Sequence, residues 1–234
     1  MQSSIYKINR KHTVNAQYFS QIDTPDKAYW LGFLWADGSI SKTAARCSGP
    51  NRLRLAQKAA EREHLQLFLD TIEASYPIVE IHHASGAIVC QVDINSRPLC
   101  MALEQHGYGL KADRTDIPSM PKDLLRHFVR GYFDGDGCLS LYEQVVKKWT
   151  IHRQEWSITG SPALIEKIQA LLNQETMVSQ RVQLKTYRRT DKAVSLRYGR
   201  KSDIEALFEY LYQDAQLFLP SKHNKFVEHF LRGK

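Results

Sequence analysis

The sequence contains no run of eighteen apolar residues, and its start, "MQSSIYKINRKH", lacks the apolar core of a secretion signal. A membrane-crossing helix needs about 20 such residues, so neither a membrane protein nor an exported one is expected. The expected setting is intracellular, either a bacterial cytoplasm or an organelle. Cysteine is sparse. Cys47, Cys90, Cys100 and Cys138 show no C-x-x-C spacing and no histidines at zinc-finger distances, so they read as reduced core thiols. His82 and His83 are neighbours on a predicted strand; they point to opposite faces and cannot both face one metal ion. An acidic excess is also missing, since 32 Lys and Arg stand against 25 Asp and Glu, for a formal net charge of +7. That balance favours an anionic partner over an acidic small metabolite, with nucleic acid first among the candidates.

What is present is a repeat on the scale of a small domain, within 234 residues that can form one domain or two small ones. The first half reads as a helix over 26–37, then strands over 39–46 and 51–58 around "CSGPN". The amphipathic "EREHLQLFLDTIE" follows, then a hairpin turning at "HASGA". A helix closes the half, with Ser96 as N-cap, Pro98 in the first turn and Gly107 beyond its end. The second half repeats the order: a helix over 122–136, strands over 138–147 and 149–158, and "SPALIEKIQALL" with Ser161 as cap and Pro162 leading. Strands over 180–189 and 193–199 and the helix "SDIEALFEYLY" complete it. The expected fold is α+β: two αββαββα units about a pseudo-two-fold axis, with two four-stranded antiparallel sheets. The divisions are a basic arm over 1–25, a half over 26–115, and a half over 116–234 that ends in a tail helix.

Each half opens on a helix that carries small residues four apart, Ala28, Gly32 and Ala36 in one, Gly131 and Gly135 in the other. Such a stripe lets two helix backbones approach closely. Glycine inside a helix costs about 1 kcal/mol relative to alanine, so packing of the two helices must offset the loss. Asp37 and Asp136, 99 positions apart, end these helices, and each is followed by glycine. An acid at a helix C-terminus opposes the dipole by about 0.3–1 kcal/mol, and two acids side by side repel. A divalent cation between them removes both costs.

"WLGFLWADG" and "VRGYFDGDG" resemble the two signature motifs of the LAGLIDADG homing endonuclease family in its monomeric, two-motif form. The likeness extends over nearly the whole chain, because the repeat order also agrees. Trp30 and Val129 replace leucine at the leading positions and Arg130 replaces alanine. The resemblance implies that Asp37 and Asp136 bind catalytic Mg²⁺ or Mn²⁺, with Ala36 and Gly135 beside them in the metal site. Asp134 aligns with Trp35 and is not expected to be a ligand. The family places one lysine per half near the scissile phosphates, and Lys111 and Lys222 are the candidates here. Gln57 resembles a family position that helps orient a water, with its neighbour Lys58 as the alternative alignment. By resemblance, both strands are cut across the minor groove to leave cohesive 3′ ends.

The strands supply a basic face. Arg52, Arg54 and Lys58 alternate on one side of "NRLRLAQK", and Arg181, Gln183, Lys185, Tyr187 and Arg189 alternate on one side of "RVQLKTYRR". Lys147, Lys148 and Arg153 add charge on another hairpin, and Arg197 on a further strand. Arginine and glutamine can read guanine and adenine edges in the major groove. Strands of this length cover on the order of sixteen to twenty base pairs from two halves. The expectation is a monomer on double-stranded DNA, with intron RNA as a further partner. Two alternatives use the same fold: an RNA maturase, which has no need of both acids, and a regulator that binds DNA without cutting it. The chain begins with Met1, without a splicing Cys or Ser, and has no terminal His-Asn, so a free-standing, intron-encoded frame is expected rather than an intein.

Overall fold

Two helices occupy the centre of the molecule. Helix α1 (Pro25–Asp37) is buried without interruption from Ala28 to Ala36, as a helix apolar on all sides must be. Thr24 starts it by accepting the Lys27 amide on its hydroxyl at 3.3 Å, with Pro25 at the first helical position. Its counterpart α4 (Leu125–Asp136) follows a short 3₁₀ turn over Lys122–Leu124. The structure, a computed structural model, describes residues 11–187 and 190–232.

The two helices touch through main chain, and their contacts are reciprocal. A Cβ added to Gly32 would lie 2.0 Å from the Phe128 carbonyl oxygen, and one added to Gly131 would lie 2.0 Å from the Tyr29 carbonyl oxygen. Residues 29 and 32 become 128 and 131 by the same offset that relates Asp37 to Asp136, so the contact is isologous within one chain. Near the C-termini a Cβ on Gly135 would meet the Ala36 Cβ at 2.5 Å and Asp37 Oδ2 at 3.4 Å. The small-residue stripe therefore brings the ends of both helices, and their aspartates, together.

Each helix feeds a four-stranded antiparallel sheet. The first contains β1 (Ser39–Ser41), β2 (Arg52–Lys58), β3 (Val79–His82) and β4 (Ile88–Asn95) in the order β1-β2-β4-β3. The second contains β5 (Cys138–Val146), β6 (Trp149–Gly160), β7 (Lys185–Tyr187) and β8 (Thr190–Tyr198) in the order β5-β6-β8-β7. Helices α2 (Arg62–Thr71) and α3 (Arg97–Glu104) complete the first half. Helices α5 (Pro162–Glu175), α6 (Lys201–Tyr212) and α7 (Pro220–Arg232) complete the second. This is the expected α+β arrangement of two αββαββα units. Among the described residues no helix is long and apolar enough to cross a membrane.

Several local expectations need correction. Strand β1 ends at Ser41 rather than residue 46, because Asn51 turns the chain back: its amide donates to Ser41 O and its side chain exchanges hydrogen bonds with Thr43. Arg181 and Gln183 precede β7 instead of lying on it. There the chain is held against helices, with Ser179 donating to Asp203 of α6 and Gln169 of α5 donating to Val182 O. Ser161 sits at the N-cap of α5, but its hydroxyl donates to Arg114 O and does not cap the helix. Ser96 caps α3 as expected, accepting the Leu99 amide. Of the four thiols only Cys90 and Cys100 are buried; Cys138 is exposed and Cys47 is half-buried, so neither belongs to the core.

Candidate functional site

At the ends of α1 and α4 the two aspartates have different partners. Asp37 Oδ2 accepts the Gln57 side-chain amide at 2.7 Å, and Asp136 Oδ2 accepts the Lys111 ammonium at 2.7 Å. Gln57 reaches Asp37 because it lies on the β2 face opposite Arg54 and Lys58, turned toward the helices. Burial pushes the Asp37 carboxyl above its usual range, against the Gln57 hydrogen bond, and the neighbouring Asp136 charge adds to the rise. Lys222, at the start of α7, donates to the Gly137 carbonyl, and burial pulls its ammonium pKa down. Asp37, Gln57, Lys58, Glu61, Ser221 and Lys222 all line one pocket. The structure thus brings Asp37, Asp136, Gln57, Lys111 and Lys222 into one neighbourhood, with Gly135 and Ala36 at its floor.

This donor set fits a hard divalent cation. Among the described residues no three His, Cys, Asp or Glu side chains cluster to form a full protein cage. Two adjacent carboxylates fit Mg²⁺ or Mn²⁺ instead, ions that keep several waters and take phosphate oxygens as remaining ligands. The closeness of two acids, one of them destabilised as an anion by burial, is the electrostatic arrangement that a bound cation relieves.

Two residues near the site were not legible in the sequence. Arg114, in the segment between the halves, is buried and donates to the carbonyls of Leu34, Trp35 and Gly38 at 3.2, 2.7 and 2.9 Å. Its guanidinium lies 3.9 Å from the Tyr108 ring centre. It supplies the positive charge that the C-terminus of α1 lacks in its own last turn. Asp134 is fully buried, and its carboxylate accepts Tyr29 Oη at 2.9 Å, Tyr212 Oη at 2.5 Å and the Leu219 amide at 2.7 Å. With that capacity taken up, Asp134 stitches α1, α4, α6 and the start of α7 together. Its alignment with Trp35 sets it apart from Asp136 as a ligand, but its burial and its three donors were not announced by the sequence.

The strand faces carry the remaining candidates. Arg52 and Arg54 occupy the outer face of β2, where Arg54 makes a bidentate ion pair with Asp93 at 2.7 and 2.9 Å and Arg52 donates to Ser41. On the second sheet Arg153 donates to Gln144 and Arg197 pairs with Glu155 at 3.1 Å. Lys58, Lys185, Lys147 and Lys148 are exposed, the last two forming the turn between β5 and β6. Arg181, although off the strand, lines a cleft with Arg197 and Arg200. Arg189 and the side chain of Tyr187 lie outside the described residues. Beyond the lysine turn stands Trp149, 76% exposed and registered with Val146 on the same sheet face as Tyr142 and Arg153. Its place after two lysines in an alternating segment was the available signal, and sequence reasoning passed it over.

Residues 123–212 match the family model of the LAGLIDADG-like domain. No curated protein matches the chain. Among solved structures, the I-LtrWI LAGLIDADG homing endonuclease bound to target DNA superposes with a TM-score of 0.62 at 13% identity, covering 94% of this chain and 92% of that one. The LAGLIDADG meganuclease I-AabMI bound to uncleaved DNA gives 0.61 at 11% identity over 90% and 92%. The I-SmaMI LAGLIDADG homing endonuclease bound to cleaved DNA gives 0.61 at 10% identity over 90% of each chain. With both aspartate-terminated helices paired in the middle and a sheet on each side, residues 123–212 form a LAGLIDADG-like domain and the chain as a whole has the LAGLIDADG homing endonuclease fold.

Proposed function

We propose that this chain is a monomeric, site-specific DNA endonuclease, encoded within an intron, that hydrolyses both strands of a long, nearly non-palindromic duplex in the presence of Mg²⁺ or Mn²⁺. The observation that carries this reading is the delivery of Asp37 and Asp136 to one place by two helices in backbone contact. Both acids are present, which a maturase or a non-cleaving regulator does not need. The solved structures that share this fold include endonucleases bound to target DNA.

In this reading the two halves, residues 26–115 and 116–234, each present a sheet face to half of the site. Asp37 and Asp136 would hold the metal ions, with the main chain at Ala36 and Gly135 beside them. The bound ion would supply an acidified water and neutralise charge on the scissile phosphate. The amide of Gln57 is fixed by Asp37, which leaves its other hydrogen-bonding groups able to orient that water. Lys111, held by Asp136, places positive charge beside the phosphate. Lys222, anchored on the Gly137 carbonyl, is the second such charge, able to stabilise the phosphate or polarise the attacking water. Lys58, Lys147, Lys148, Lys185 and Arg52 contact the phosphate backbone. Arg54, Arg153, Arg181, Gln183 and Arg197 are assigned to base edges, together with Tyr187 and Arg189.

The test begins with duplexes retained by the protein from a randomised DNA pool, without divalent ions. Addition of Mg²⁺ is expected to cut both strands, and Asp37→Asn or Asp136→Asn is expected to abolish cutting while leaving affinity within a few-fold. Cleavage at the normal rate by either variant would sink the site assignment. Retention of structured RNA in place of duplex DNA would favour the maturase.

A further inference from the structure

The two carboxylate centres share backbone geometry but not side chains. In the first half Ser39, two residues past Asp37, pairs with Arg54 of β2, and Gln57 follows three positions later. In the second half Cys138, two residues past Asp136, pairs with Ser157 of β6, and three positions later stands Gly160. The residue that grips Asp37 thus has no side chain at the related position. Backbone conformation does not require this glycine, because the described glycines with positive φ are Gly86 and Gly107 alone.

Space requires it instead. A Cβ on Gly160 would lie 2.4 Å from Tyr132 Oη, with Ile165 Cδ1 next at 3.1 Å. Tyr132 cannot easily yield, since its ring is buried and its hydroxyl donates to Thr159 O at 2.8 Å. The residue that the 99-position offset relates to Tyr132 is Phe33, which is buried and has no hydroxyl. Phenylalanine with glutamine in one half is therefore exchanged for tyrosine with glycine in the other. The capping groups differ too: Arg114 donates to Gly38 O in the first half, and Lys222 donates to Gly137 O in the second.

We infer that the Tyr132–Gly160 pair leaves the Asp136 centre without a glutamine that the Asp37 centre has, so that the two DNA strands are cut at unequal rates in a fixed order, the strand served by Gln57 first. This rests on the endonuclease reading. Tyr132 is a positioning residue here: its hydroxyl excludes a side chain at position 160. The consequence is a nicked duplex as an obligatory intermediate rather than concerted breakage.

Two measurements test this. Thermal unfolding of the full chain, without DNA or metal, should show Gly160→Gln melting below wild type and Tyr132→Phe/Gly160→Gln recovering most of the loss. A Gly160→Gln protein as stable as wild type would overturn the steric exchange. For the second, a supercoiled plasmid carrying a duplex selected by the protein is incubated with the full chain and Mg²⁺, and each strand is followed separately. Nicked circles should precede linear product, with one strand cut about 100-fold faster, the low end of what one preorganised amide side chain contributes. Gln57→Ala should slow that strand alone, and Tyr132→Phe/Gly160→Gln should speed the other. Equal strand rates in wild type would overturn the inference and leave the endonuclease standing; failure to cut either strand would overturn both.

Discussion

Replacing Gly131 by alanine isolates the contact on which the molecule is built. The added methyl carbon would lie 2.0 Å from Tyr29 O, 2.8 Å from Phe33 N and 2.9 Å from Tyr29 C, all backbone atoms of α1. No rotamer change relieves such a clash, so two buried helices must separate. Overpacking a core costs about 1–3 kcal/mol, and a backbone obstacle argues for the upper end. Alanine returns about 1 kcal/mol of helix propensity, which leaves a net loss of about 2 kcal/mol. For a chain of this size that loss lowers Tm by about 4–8 °C. Gly109→Ala is the control: its Cβ would meet nothing closer than Asp113 Cβ at 3.6 Å, and its Tm should stay near wild type. Scanning calorimetry of the three proteins decides the matter. Should Gly131→Ala melt at or above wild type, propensity alone would govern and the close backbone contact would be wrong.

Three other outcomes are expected. Arg114→Ala strips the buried Trp35 and Gly38 carbonyls of their donor; denaturant unfolding should register a loss of about 3 kcal/mol, and Arg114→Lys should not restore it, since one ammonium lacks the planar fork. The pH dependence of Asp134 follows from burial, which pushes its carboxyl up to about 6, against about 3.9 in the unfolded chain. The folded state then binds the extra proton between those values, so wild-type stability relative to Asp134→Asn should fall as pH rises from about 4 to 6 and level off above; a constant difference in Tm would contradict this. On the β5–β6 hairpin, Lys147→Ala and Lys148→Ala should each reduce the slope of log affinity against log salt by about 0.9. Trp149→Ala should weaken DNA binding without changing that slope, as filter binding over a salt series would show.

The centre of the fold was legible because its requirements are written locally. Gly32, Gly131 and Gly135 are costly in helices unless something passes close by, and Asp37 and Asp136 repeat in the same phase. Gln57 and Lys111 were singled out by the family resemblance, not by any pattern in the residues themselves. What escaped depends on long-range pairing. Arg114 sits among glycines and prolines with no periodicity to announce burial, and its role appears only once the end of α1 folds over it. Arg54 alternates like a free basic residue, yet its cross-strand neighbour is Asp93, which register alone reveals. The segment before β7 alternates as a strand would, and side chains of α5 and α6 capture it before it can pair.

The meeting of α1 and α4 through bare main chain has one further consequence. Steric contact between main chains, rather than side-chain packing, fixes how far apart the two acids stand, and each half's sheet attaches beyond that seam. Substitutions on the sheet faces can therefore accumulate without moving the two acids, provided the helix seam keeps its glycines.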